Sequence, residues 1–258
     1  MKTTHCQFVG FDIETKPDPA MARTLFRPLP PFNADDVKTG NIKDPVLKRA
    51  KIEEARQKHA DEGDAALRNM IDRAALSPLT GSILVLGLIS GGLVKILDGD
   101  EREILETFWA MYSEPGMADR KWVFWSGTGA AESQFDLDFI YTRSLILNVE
   151  IPPGVRSGRY YGGRLVDLAG EFLLFKREAY LSLTSAAEVF RLYDEPGLGL
   201  TRKTEADVVQ GKDFWRWWEG SMEDQNPFAR DANEQRELAR LYLHNDLHHL
   251  AAIAGRML

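Results

Sequence analysis

The stretch Ile83-Leu-Val-Leu-Gly-Leu-Ile-Ser90 constrains this chain more than any other. It shows no alternation of apolar and polar residues, so as a strand it is apolar on both faces. Such a strand needs cover above and below, as in the middle of a sheet layered between helices. It is far shorter than the roughly 18 residues a membrane span requires. Gly91-Gly92 turns it into Leu93-Val-Lys-Ile-Leu-Asp98, the expected hairpin partner. Two more strands are expected at Gln7 to Thr15, stopped by Lys16-Pro17-Asp18-Pro19, and at Lys121-Trp-Val-Phe-Trp125, and a short fifth at Arg164-Leu-Val-Asp-Leu168.

Helical periodicity fills the gaps. Asp100 and Glu103 have the spacing of a capping box ahead of Ile104, Leu105, Phe108, Trp109 and Tyr112. Helices are expected from Ser133 to about Leu147, around Leu183, Ala187 and Phe190, and from about Asn233 towards Leu258. The order β, β, β, α, β, α, β, α, α predicts an α/β domain with a mixed, mainly five-stranded central sheet flanked by helices. The expected organisation is a single domain over 1–258 with a charged helical insertion at about 16–80. Asp44 caps the insertion's central helix and Pro45 suits its first turn. That insertion reads either as a solvated decoration or as a lid or nucleic-acid arm. A second stretch outside the core, about 197–232, centres on Phe214-Trp-Arg-Trp-Trp218.

Composition narrows the classes. The 258 residues carry 32 Lys+Arg against 39 Asp+Glu, a net charge of −7, and 44% are apolar. Whole-chain disorder and coiled coil are excluded, as is a protein that coats nucleic acid non-specifically through positive charge. Cys6 is the one cysteine and cannot form an internal disulfide. With the apolar run after Met1–Thr4 broken at Asp12, no signal peptide is expected, and the expected compartment is the cytoplasm.

Three sets of carboxylates do not fit easily into a purely structural chain. Asp12 and Glu14 are two apart in the first strand, hence on one face. Side by side in an apolar strand they repel unless a cation neutralises them or the strand end reaches water. In the last helix, Leu238, Tyr242, Leu243, Leu247, Leu250, Ile253, Ala254 and Met257 share an apolar face, and Asp246 lies inside it. A buried Arg or Lys, or a metal ion, would satisfy Asp246. Tyr242, at i and i+4 to Asp246, reaches the same point. Asp136 opens the helix Phe135-Asp-Leu-Asp-Phe-Ile140, where capping with Ser133 accounts for it equally well.

Taken together, Phe11-Asp-Ile-Glu-Thr15, Phe135-Asp-Leu-Asp-Phe-Ile-Tyr-Thr-Arg143 and Tyr242-Leu-His-Asn-Asp246 resemble the three motifs of the DEDD-superfamily 3′–5′ exonucleases. The histidine version of the third motif would place His at position 241, which is Leu241, so the resemblance is to the tyrosine subgroup. It is closest to exonucleases related to the exonuclease domain of family-B DNA polymerases. Relatives commonly carry Asn-Gly shortly before the second motif; here Ser126-Gly-Thr-Gly129 stands in that region, with a longer gap.

The resemblance implies a ribonuclease H-like fold and two-metal hydrolysis of phosphodiesters at a 3′ end. Asp12, Glu14, Asp136 and Asp246 would be the metal ligands and Tyr242 would orient the attacking water. The four carboxylates should meet in one pocket at the edge of the sheet. Their four negative charges balance two divalent cations, and hard oxygen ligands without a cysteine cluster favour Mg²⁺ or Mn²⁺. The expected substrate is DNA with a single-stranded 3′ end, in proofreading or repair; RNA, or a catalytically silent nucleic-acid-binding module on the same fold, are the alternatives. No membrane partner is expected. Four further features are candidates. His244 and His248 could bind a transition metal or be solvated. His249 is expected to line the site or the core. The aromatics of 214–218, with Lys212 and Arg216, could stack on bases or pack a small subdomain. Lys203 could touch phosphate, and Arg143 is expected to hold the second-motif helix.

Overall fold

The computed structural model describes residues 8–126, 135–155, 164–173, 181–202, 209–222 and 231–258. In chain order the elements are β1 (Phe8–Pro17), α1 (Pro19–Leu25), α2 (Pro45–Asp72), β2 (Gly81–Ser90), β3 (Leu93–Asp98), α3 (Glu101–Ser113) and β4 (Lys121–Phe124). They continue with α4 (Phe135–Ile146), β5 (Leu165–Asp167), α5 (Leu168–Phe172), α6 (Leu183–Val189), α7 (Phe214–Glu219) and α8 (Ala232–Met257). The chain divides into two compact units, one of residues 1–16 and 82–258, the other of 17–81.

The larger unit is α/β. Its open five-stranded sheet has the order β3-β2-β1-β4-β5, mixed because β1, β4 and β5 run parallel while β2 and β3 form an antiparallel hairpin. The apolar strand predicted to need cover on both faces is β2, and it is buried along nearly its whole length. Alternation along β1 splits its residues between two helical layers. Val9, Phe11 and Ile13 face a core built with Phe108 and Trp109 of α3 and with Leu137, Phe139 and Ile140 of α4. Phe11 meets Phe108 edge-on at 5.3 Å. Each such fully buried aromatic contributes about 2–3 kcal/mol of transfer free energy. The opposite layer is α8, with Leu243 and Leu247 on Val85 and Ile89 of β2, and Leu250, Ile253 and Ala254 beside Val123 of β4 and Ala186 and Ala187 of α6.

Local signals account for the helix ends. The Asp100 side chain accepts from the backbone N–H groups of Arg102 and Glu103 at the start of α3, and that of Asp231 accepts from Asn233 and Glu234 at the start of α8. Arg143 does hold the second-motif helix. Its guanidinium grips Glu101 with two bonds of 2.9 and 2.6 Å, and Glu101 also accepts the Ile83 N–H at 2.7 Å. One carboxylate thereby ties β2, α3 and α4 together. Ser133, the expected capping partner of Asp136, lies outside the described residues; the described helix begins at Phe135. The short helices α1, α5 and α7 have too few turns to show a period in sequence.

In the smaller unit, Asp18 caps α1 and Asp44 caps α2, with Pro19 and Pro45 in the first turns. The 28-residue α2 has no buried residue. Its Phe32-facing side is marked by His59, edge-on to that ring at 5.8 Å. No described helix is long and apolar enough to cross a membrane.

Candidate metal centre

Two glycines bring α8 down onto the sheet. A Cβ on Gly87 would lie 2.7 Å from Leu247 Cδ1, and one on Gly10 would lie 2.8 Å from Ile89 Cγ2 and 3.2 Å from Leu250 Cδ2. Only a bare backbone permits an approach this close. Gly10, Asp12 and Glu14 follow one another at alternate positions of β1, so the face that meets α8 at Gly10 carries both carboxylates. On α8, Asp246 sits between Leu243, Leu247 and Leu250, the residues that make the close contact. Packing therefore aims Asp246 at Asp12 and Glu14 across more than 230 residues of sequence.

The outcome is a triad. Asp12, Glu14 and Asp246 each offer a carboxylate oxygen, and these atoms all lie within 4.8 Å of one another. Asp246 is 8% exposed, while Asp12 and Glu14 are half-buried. Two oxygens bound to one cation at about 2.1–2.6 Å are at most roughly 4.2–5.2 Å apart. The triad thus fits a hard divalent cation, and its oxygen-only donor set favours one. It stands on β1, the middle strand of five. Asp12 and Glu14 lie beyond the last β1–β4 register pair, Gly10–Val123, so at their level β1 has run past its paired stretch with β4, at that end of the sheet.

Asp136 approaches from α4. It is 5% exposed in the helix's first turn, where the helix dipole favours an acid. Its carboxyl is nonetheless pushed well above the usual carboxylate range, first by burial, then by the charge of Asp12, then by that of Asp167. Asp136 is therefore in electrostatic reach of Asp12, while the tight triad is made by the other three. Tyr242, one turn before Asp246, hydrogen-bonds the Asp246 carboxylate. Burial, then Asp246, Glu14 and Asp12, push its hydroxyl far above its ordinary value, so it remains an O–H donor. The Tyr242 ring lies 5.9 Å from Phe214, and a Cβ on Gly211 would be 3.4 Å from its hydroxyl oxygen. The segment leading into α7 thus walls this tyrosine.

Two groups near the site were not singled out as site residues from sequence. Asp167, at the end of β5, is 1% exposed. It accepts from Ser126 Oγ at 2.7 Å and from the N–H groups of Ser126 and Ala169 at 3.2 and 3.1 Å. Burial raises its pKa while those hydrogen bonds oppose the rise. Ser126 is thereby engaged with Asp167 through both its side chain and its backbone. An acid at the end of a short strand, directly before a helix that it caps, was the available signal in the sequence. The second group is Tyr193. Its hydroxyl is 2.8 Å from His249 Nε2, and His249 Nδ1 is 2.6 Å from the Asn245 carbonyl. A carbonyl only accepts, so Nδ1 donates to it, while Nε2 is left to the Tyr193 hydroxyl. The Tyr193 hydroxyl is pushed up to about 12 by burial, then by Glu188, with Asp246 adding to the rise and Arg202 opposing it.

His249, fully buried, is accordingly held on both ring nitrogens by Tyr193 and the backbone. His244 is exposed and His248 half-buried, their rings 4.4 Å apart; burial first, then His244 and His249, lower the pKa of His248. Phe214, Trp217 and Trp218 are core residues packed against α8, leaving Trp215 half-buried under the Arg216 guanidinium at 5.1 Å. Lys203 and the Lys212 side chain lie outside the described residues.

No protein-family model matches the chain, and no curated protein matches it. The α/β sheet and the acidic triad therefore define it as a protein with a site suited to a metal ion.

Proposed function

We propose that this chain is a metal-dependent 3′–5′ exonuclease of the DEDD tyrosine subgroup on a ribonuclease H-like fold. In this reading it hydrolyses phosphodiester bonds at single-stranded 3′ ends of DNA. The observation that carries the reading is the meeting of Asp12, Glu14 and Asp246 within 4.8 Å, with Tyr242 bonded to Asp246 and Asp136 within electrostatic reach of Asp12. A single structural cation would account for the triad; it gives no reason for a protonated tyrosine on one ligand and a further buried acid facing the same charge.

Asp12, Glu14 and Asp246 would hold one ion and Asp12 with Asp136 a second, both Mg²⁺ or Mn²⁺. Such ions, when bound, neutralise the carboxylates and the scissile phosphate and acidify the attacking water. The protein's own groups orient the reaction. Tyr242 donates its O–H hydrogen bond to Asp246 and presents its oxygen lone pairs, so it accepts a hydrogen bond from the attacking water and fixes its direction. It does not act as a base, because deprotonating a phenol beside three carboxylates is strongly unfavourable. Burial and the charge of Asp12 hold the Asp136 carboxyl above the usual carboxylate range, and a cation bound beside it would oppose that rise. Phe214 and Gly211 keep the far side of Tyr242 closed.

The decisive assay follows 5′-labelled DNA and RNA oligonucleotides on a gel in Mg²⁺, Mn²⁺ or chelator. The expected result is a ladder shortening from the 3′ end of DNA in either metal and none in chelator. Shortening of RNA alone would move the reading to an exoribonuclease. No metal-dependent shortening of either would overturn it in favour of a silent binding module.

A further inference from the structure

Outside the metal centre, the strongest unexplained feature is the charge distribution of the smaller unit. Between residues 37 and 58 there are seven cations, Lys38, Lys43, Lys48, Arg49, Lys51, Arg56 and Lys58, against three acids, Asp44, Glu53 and Glu54. This sits in a chain whose net charge is −7. All seven cations are exposed. Two are committed: Arg56 lies 3.7 Å from Glu53 and 5.5 Å from the centre of the Phe32 ring, and Lys58 is 3.9 Å from Glu62. The other five make no ion pair among the described residues. Asp44, the sequence neighbour of Lys43, is occupied in capping α2 through the Val46 N–H at 2.7 Å. Lys38 and Lys58, twenty residues apart, line one hollow of about 510 Å³ that Asp36 and Glu62 line as well, so the surplus of positive charge lies at the start of α2.

A solvated helix that needs only solubility gains nothing from unpaired like charges, which repel at helical spacing. Here Lys48, Arg49 and Lys51 crowd within the first two turns of α2. Lys48 closes the first turn of α2, where the helix dipole disfavours a cation. We propose that the exposed cations of 38–51, at the N-terminal end of α2, bind the phosphate backbone of single-stranded nucleic acid, separately from the metal centre. The choice of polyanion rests on the nuclease reading above. An anionic membrane is the rival surface, since Val46 and Leu47 are exposed beside the cations, but they do not continue into an exposed apolar stripe along α2, whose Ile52, Ala55 and His59 side is half-covered. Elsewhere the chain is strongly acidic and repels a polyanion, so a local basic site is what would capture it and raise its concentration near the protein.

The test is fluorescence anisotropy of the full chain with a labelled single-stranded oligonucleotide in chelator, over a salt series, for wild type, Lys48→Ala/Arg49→Ala/Lys51→Ala and Glu54→Lys. Alanine keeps the helix, which circular dichroism verifies. Three lost phosphate contacts reduce the slope of log K against log salt by about 2 for a single strand, with affinity falling about tenfold or more at low salt. Glu54→Lys should tighten binding. Unchanged affinity and slope in the triple variant, or no binding by wild type, would overturn the proposal. So would loss of binding to phosphatidylserine vesicles with oligonucleotide binding intact. Hydrolysis in Mg²⁺ is scored separately. Salt-dependent binding that needs the three cations, without hydrolysis, would sink the nuclease reading and leave this one standing. Hydrolysis with binding indifferent to them would do the reverse.

Discussion

Replacing Asp12 by Asn should make the metal-free protein more stable, against the general rule that changes at half-buried positions destabilise. The triad holds carboxylate oxygens within 4.8 Å. At that separation and an effective dielectric of about 20, two unit charges repel by about 3.5 kcal/mol. Asp12 faces Glu14 and Asp246 directly and also raises the pKa of Asp136. Part of this repulsion is already relieved, since a group that takes up a proton removes its charge, at 1.36 kcal/mol for each unit of raised pKa. A net gain of about 1–3 kcal/mol remains for Asp12→Asn, which keeps the shape of the side chain. For a chain of this size that is a rise of roughly 2–10 °C in Tm. The assay is thermal unfolding in chelator and in a titration of Mn²⁺ or Mg²⁺. Wild type should gain stability with metal and the variant should gain little, so the two curves cross. A variant that melts below wild type in chelator, together with a wild type indifferent to metal, would refute the electrostatic argument and make the triad a hydrogen-bonded structural cluster.

Tyr242→Phe keeps the ring against Phe214 and removes only the hydroxyl, so stability should change by about 1 kcal/mol or less while single-turnover hydrolysis falls about 10²–10⁴-fold; wild-type turnover would show the tyrosine to be packing alone. Arg143→Met should destabilise by about 3 kcal/mol, measured by urea unfolding, because it strands Glu101, 13% exposed, without its cation; a loss below about 1 kcal/mol would contradict the knot described for β2, α3 and α4. Acidification should stabilise the metal-free protein through Asp136. Its folded pKa is raised above the ordinary 3.8, so this contribution is complete below about that pH and is lost as pH rises through the raised value. Asp136→Asn should flatten that part of the stability–pH curve in chelator, and an unchanged curve would count against the placement of Asp136 beside Asp12.

Much of this protein is legible from periods of two and 3.6 residues. With the unbroken apolar run of β2 and the cap residues Asp44 and Asp100, these signals located the five strands, the starts of α2 and α3, and an aspartate lodged in the apolar face of the last helix. They did so because each signal is local: a pleat, a turn of helix, a side chain bonded to an N–H two or three residues on. The same signals placed Asp12 and Glu14 on one face of β1. They did not say what that face meets. That was decided by Gly10 and Gly87, which let α8 descend on the sheet, and by the strand order that puts β1 in the middle. Asp167 reaches Asp136 only because β5 lies beside β4, and His249 belongs to Tyr193 because α6 and the turn after it pack on α8. Such contacts join residues 30 to more than 230 positions apart, and close packing in three dimensions selects among them with no trace in local spacing.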